Sequence, residues 1–265
     1  MEQRKLDVGG TLSQIFSTYG AQAGVLLPLA FGLFLIVAIV DGLLSGGSLI
    51  LIPLSFAVSI IAGTLYQGMV VNLVSDVQDG RRDSTVGDLV SDTAPVVLPL
   101  IGAGLLAGLA IGFGFLLLIV PGLILLTIWA VIAPVIVVEH SGVMDAFGRS
   151  RELVRDNGWQ VFGVIFVVFV IATIAGLVLG AIGAGVSDSF VGRALFSLIA
   201  STLTAPITAL AAATIYFRLL EIKGGPAAPA TAGFEDVPAP QPPLGGTPPP
   251  PPPPAPPAPP APPAV

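Results

Sequence analysis

Between positions 96 and 138 the chain runs for 43 residues without a single Asp, Glu, Lys, Arg or His. As one helix, rising about 1.5 Å per residue, that run would reach roughly 65 Å, about twice the ~30 Å hydrocarbon core of a bilayer. It therefore crosses twice. The fold-back is read at Pro121-Gly122, near the middle, where proline removes a helical donor and glycine permits a reversed backbone. A chain built around such a run belongs in a membrane.

Composition agrees: 54% of the residues are hydrophobic and 10% are charged, against roughly 25% charged in an ordinary soluble domain. The absence of cysteine excludes a disulfide framework and a thiolate metal site. No cofactor and no nucleic-acid partner is expected. The net charge of −6 sums groups on opposite sides of a membrane, so the placement of the basic residues matters more.

Six apolar spans are predicted, at about 25–40, 49–73, 96–119, 123–138, 161–182 and 194–217. The fold class is therefore an all-α polytopic integral membrane protein. Nine of the ten basic residues fall in alternate segments: Arg4 and Lys5; Arg81 and Arg82; Arg149, Arg151 and Arg155; Arg218 and Lys223. Only Arg193 lies on the other side. That asymmetry places both termini in the cytoplasm of a cell whose plasma membrane holds the protein.

Each odd-numbered span is preceded by a short amphipathic pattern that reads as a surface helix. Val8, Leu12, Ile15, Phe16 and Tyr19 recur at helical spacing before span one, and Val86, Leu89 and Val90 do so before span three. The pattern is clearest over 143–156, where Phe147, Leu153 and Val154 share one face and Arg149, Glu152 and Arg155 the other. Phe147 and Val154 would dip into the lipid boundary and Trp159 would anchor the next span, while Arg149, Arg151 and Arg155 meet lipid headgroups, anionic ones included. Three copies of one unit, a surface helix and a membrane hairpin, account for residues 1–223. The remainder, 224–265, holds an unbroken proline run at 248–254. It reads as a disordered cytoplasmic tail that could offer polyproline II to an aromatic-lined groove of a protein partner, although a low-complexity tail without a dedicated partner is the plainer reading. The oligomeric state is not legible.

Within the spans, Gly104, Gly108 and Gly112 line one helix face, as do Gly176 and Gly180. Small faces let helices approach closely. Packing within one chain is favoured over a homodimer seam or a sliding gate. The intramembrane polar residues are uncharged, chiefly Gln67, Asn72, Thr127, Thr202, Thr204 and Thr208, whereas an ion-driven transporter usually buries a charge. Glu139 and His140 adjoin each other at the end of span four, but one histidine supports no metal site, and no nucleophile has a recognisable setting. The aspartates between 76 and 92 read as a solvated acidic loop.

The stretch Leu118-Ile119-Val120-Pro121-Gly122, then Ala133-Pro134-Val135, then Asp145-Ala146-Phe147-Gly148-Arg149-Ser150 with Gly158-Trp159, resembles the bacterial membrane domain associated with glycerophosphoryl diester phosphodiesterases. The likeness is concentrated between about 114 and 163. It implies a six-span module, fused in some members to a catalytic barrel. That barrel is missing here and its paired-histidine chemistry cannot be built from one histidine, so no catalytic residue is carried over. A non-enzymatic scaffold or lipid-contacting module is the leading expectation, followed by a small transporter or channel, then a lipid-headgroup enzyme.

The topology can be checked directly, because the chain contains no competing thiol. Single cysteines at Ser84 and Ser187, probed in intact cells with a membrane-impermeant thiol reagent, should give labelling at 187 and none at 84. The reverse pattern overturns the orientation.

Overall fold

The computed structural model describes residues 5–44, 51–78, 85–186 and 190–224. Arg4, Arg81, Arg82, Asp79, Asp83 and the proline-rich tail from residue 225 lie outside them. The described residues form α1 (Val8–Leu44), α2 (Leu51–Gln78), α3 (Val86–Thr93), α4 (Val97–Leu117), α5 (Ile119–Ile128), α6 (Ile132–Glu139), α7 (Val143–Val154), α8 (Gly158–Val186) and α9 (Phe190–Ile222). A short 3-10 turn, Ala94–Val96, joins α3 to α4. No strand occurs among the described residues. Six stretches are long and apolar enough to cross a bilayer: Val8–Leu43, Pro53–Gln78, Gly87–Leu117, Ile119–Glu139, Gly158–Gly183 and Ala194–Ile222. Helices are the natural solution, since each satisfies its own backbone where no water can.

Three features differ from the sequence reading. The surface helix expected before span one is not separate, because nothing between Val8 and Leu44 interrupts the helix and Pro28 is accommodated inside it. At about 55 Å, α1 is longer than the hydrocarbon core is thick. Its first turns are held by protein: Thr11 and Ile15 are fully buried, and Arg218 Nε donates to Gln14 Oε1 at 2.9 Å.

The second difference is the fold-back. The chain reverses at Leu118, which is extended at φ −159° and ψ 147°, and Pro121 is already the third residue of α5. Proline fits there because the first N–H groups of a helix have no intrahelical acceptor. Gly122 does not adopt a positive φ. It is needed for proximity: a Cβ there would lie 2.7 Å from Phe115 Cδ1, and one on Gly114 would lie 3.1 Å from Gly122 Cα. The two glycines let α4 and α5 cross almost in contact.

The third is a break in span four. Residues 129–131 form a turn between α5 and α6. Pro134 accounts for it, since an uninterrupted helix would need the missing Pro134 N–H on the Ala130 carbonyl and would drive the ring into that same carbonyl.

Around α9 stand α1, α8 and α2, and the α4–α5 hairpin leans on α2. Tyr66, Ile136, Leu210, Ile215 and Tyr216 are among the largest fully buried side chains. Lipid tails are as apolar as leucine, so close fit rather than water exclusion holds such helices together. Gly104 and Gly108 meet Thr64 and Ile60 of α2, whereas Gly112, Gly176 and Gly180 have no heavy atom within 4 Å of where a Cβ would sit. Gly183, not singled out by its spacing, receives Phe196. Thr64 cannot easily turn away from Gly104, because its hydroxyl donates to Ile60 O at 2.8 Å. Gly104→Ala should therefore cost about 1–3 kcal/mol by overpacking, read as a fall in melting temperature in detergent. Adding Thr64→Ala should recover most of the loss, while Gly112→Ala and Gly176→Ala should leave melting unchanged or slightly raised.

Candidate functional site

The polar chemistry of the molecule gathers where α6 ends and α7 crosses beneath it. Helix α7 starts with Asp145 in its first turn and carries Arg151 in its last, both matched to the helix dipole. Its apolar face is docked on protein: Ala146, Leu153 and Val154 are buried, and the Phe147 ring meets Trp129 edge-on at 4.8 Å between centroids. Phe147 and Val154 thus pack on protein rather than dip into lipid, Phe147 against Trp129 of the turn at 129–131 and Val154 buried at the end of α7. Met144 and Trp159, 72% and 83% exposed, are the large apolar groups left outward.

Ser150 connects α7 to the break in span four. Its hydroxyl donates to the Ile128 carbonyl at 2.9 Å, one of the carbonyls left without an intrahelical donor where α5 stops. A second connection is ionic. Arg149 Nε lies 3.1 and 3.0 Å from the two carboxylate oxygens of Glu139, and its Nη1 reaches Glu152 Oε2 at 3.2 Å. Tyr216 of α9 donates to Glu139 Oε1 at 3.1 Å. Partial burial works against the charged form of Arg149, but the hydrogen bonds and charges of Glu139 and Glu152 prevail and raise its pKa above the ordinary arginine value. Glu139 does not serve His140, which ends α6 in the left-handed conformation at φ 50°.

The arginines therefore separate. Arg149 ties α7 to Glu139 at the end of α6, which Tyr216 of α9 also holds, while Arg151 and Arg155 are exposed and have no ion-pair partner among the described residues. Trp159 follows four residues after Arg155, at the start of α8, edge-on to Phe162. Sequence reasoning missed Asn157. It is 4% exposed, its carbonyl accepts the Val161 N–H that opens α8, and its side-chain Oδ1 accepts the Leu6 N–H at 3.1 Å. An asparagine directly before Gly158-Trp159 was the available signal, since asparagine favours the position preceding a helix. That bond brings Lys5 to the corner between α7 and α8.

Among the intramembrane polar groups, Asn72 Nδ2 donates to Thr93 Oγ1 at 2.9 Å, fixing α3 to α2. Thr127 and Thr202 back-bond to their own helices. Gln67 lines a cavity of about 420 Å³ with Thr64, Trp129, Ala130 and Thr208.

A family model described as a domain of unknown function, DUF7847, matches residues 15–219, well over half of the chain. The chain belongs to the DUF7847 family. The DUF7847 match begins within α1 and ends within α9, so it takes in α7 together with Glu139 and Tyr216, while Lys223, which donates to the Glu152 carbonyl, lies beyond it. A 100-residue stretch of this DUF7847 protein is 37% identical to a UPF0259 membrane protein of Pectobacterium carotovorum subsp. carotovorum. That stretch covers 37% of the chain and 39% of the relative, so the likeness spans about two-fifths of the relative's length. No solved structure matches. The relative is named a membrane protein, in agreement with the six apolar helices, and neither match links the family to glycerophosphoryl diester phosphodiesterases.

Ser150→Ala should leave the part-buried Ile128 carbonyl without its side-chain donor, at a cost of about 1 kcal/mol. A lower melting temperature in detergent, with α-helical circular dichroism retained below it, checks this expectation.

Proposed function

We propose that the chain is a non-enzymatic module of the plasma membrane that holds anionic lipid at its cytoplasmic surface. One observation carries the reading: Arg149 is engaged by protein while Arg151 and Arg155, at the end of α7, are exposed and unpaired among the described residues, and Trp159 at the start of α8 is exposed as well. Cations beside an anionic membrane surface attract its lipids by about 1 kcal/mol each, and tryptophan favours that depth. The engagement of Glu139 by Arg149 and Tyr216 argues against an acid–imidazole catalyst. The resemblance of residues 114–163 to the membrane domain of glycerophosphoryl diester phosphodiesterases is taken as likeness of the membrane part, without hydrolase activity.

A small transporter for an uncharged solute is the second reading. It is favoured by the cavity at Gln67, which has no hydrogen-bond partner among the described residues and lies against the broken span four, a placement common for transporter sites.

Native mass spectrometry of the protein released from bilayers of equal phosphatidylglycerol and phosphatidylcholine separates the readings. The wild type should retain phosphatidylglycerol preferentially, and Arg151→Gln with Arg155→Gln should erase the preference without lowering the melting temperature. Arg149→Gln should lower melting instead. Equal retention of the two lipids by the wild type would sink the lipid-contact reading.

A further inference from the structure

Helices α5 and α8 barely touch, and the space between them is a groove of about 630 Å³. Val120, Leu123 and Ile124 of α5 form one wall, and Phe162 of α8 faces them. Val120 and Ile124 are 64% and 54% exposed, so the groove opens sideways, away from the helix core. From Val120 to Ile128 α5 climbs about 12 Å, and at its upper end the lining turns polar, with Lys5, Asp156, Trp159 and Gln160. A second depression of about 590 Å³ adjoins it, sharing Ile128, Asp156 and Gly158, and it is bordered by Arg151 and Arg155. Both volumes lie within the roughly 300–1,000 Å³ usual for small-molecule sites.

Charge decides what could lie there. Two acids border the polar end, Glu152 3.2 Å from Arg149, which Glu139 shares, and Asp156 3.8 Å from Lys223 Nζ, so they do not balance the three cations beside them. Lys5, Arg151 and Arg155 have no ion-pair partner among the described residues. The polar end is therefore net positive and the remainder is apolar. The backbone at the junction is held in place, because Asp156 adopts φ 77° between the α7 carbonyl of Val154, which accepts the Asn157 N–H, and the Asn157–Leu6 bond.

We infer that these joined depressions are a binding site for one anionic phospholipid, its phosphate among Lys5, Arg151 and Arg155 and an acyl chain along Val120, Ile124 and Phe162. The inference rests on the lipid-contact reading and narrows it from surface attraction to a built groove. Free glycerol phosphate shares the headgroup chemistry but would leave the apolar wall bare, so the occupant is the lipid.

The test uses the full chain in detergent, titrated with short-chain phosphatidylglycerol, short-chain phosphatidylcholine or glycerol phosphate and observed by native mass spectrometry. The wild type should bind one phosphatidylglycerol, bind phosphatidylcholine several-fold more weakly, and bind no glycerol phosphate at the same concentration. Arg151→Gln with Arg155→Gln should weaken phosphatidylglycerol binding roughly five- to twenty-fold, down to the phosphatidylcholine level. Ile124→Trp fills the groove from its open side and should weaken both lipids at least ten-fold. Val120→Trp is a second filling variant, so a folding defect in one does not block the result, and melting temperature identifies such a defect. If the filling variants keep wild-type binding while the arginine variant loses its preference, the groove is overturned and surface attraction by α7 survives. If neither kind of variant changes binding, both fall. Loss in the filling variants with the preference intact in the arginine variant overturns the headgroup assignment, and binding of glycerol phosphate as tight as that of the lipid overturns the acyl-chain assignment.

Discussion

A backbone polar group inside hydrocarbon must find a partner within the protein, and this chain meets that constraint most severely where Pro134 interrupts span four. The turn at 129–131 ends α5 and frees carbonyls that a continuous helix would have satisfied. Ser150 supplies one replacement donor from outside the span, which requires α7 to lie close beneath the break. That position in turn calls for the Arg149, Glu139 and Tyr216 contacts that tie α7 to α6 and α9. The surface helix is thus a structural consequence of a proline buried in the membrane.

The three arginines of α7 and its edge show how one sequence pattern can serve two ends. From spacing alone Arg149 and Arg155 share the polar face and Arg151 sits at its border, and pairing with acids competes with recruiting lipid as the explanation for all three. In the fold the alternatives divide by residue. Arg149 is pulled inward by a carboxylate on another element, ten residues away in sequence, while Arg151 and Arg155 lie where the chain bends towards α8 and meet no acid among the described residues.

The spans were legible because hydrocarbon thickness imposes a length and an apolar composition that no soluble fold shares. The breaks were less so. Pro121 and Pro134 each occupy the third position of a helix, so each belongs to the start of an element, and a reading that takes proline as the reversal itself misplaces the turn by three residues. The glycine stripe was half informative: periodicity puts Gly104, Gly108 and Gly112 on one face, but only Gly104 and Gly108 lie against α2, and where a neighbouring helix crosses is not written in the helix's own spacing. The partners of Asn157, Ser150 and Tyr216 escaped notice for the same reason, since they are 151, 22 and 77 residues away.

The bond from Leu6 to Asn157 and the bond from Arg218 to Gln14 both bind the first turns of the chain to its third hairpin. Synthesis proceeds from one end and domains tend to fold in that order, yet these contacts cannot form until α8 and α9 exist. The opening turns of α1 must therefore wait while the other spans are made, with Thr11 and Ile15 still uncovered. Assembly is then a closure in which the opening turns of α1 are seated after the spans that follow it, and the late contact fastens α1 to α8 and α9.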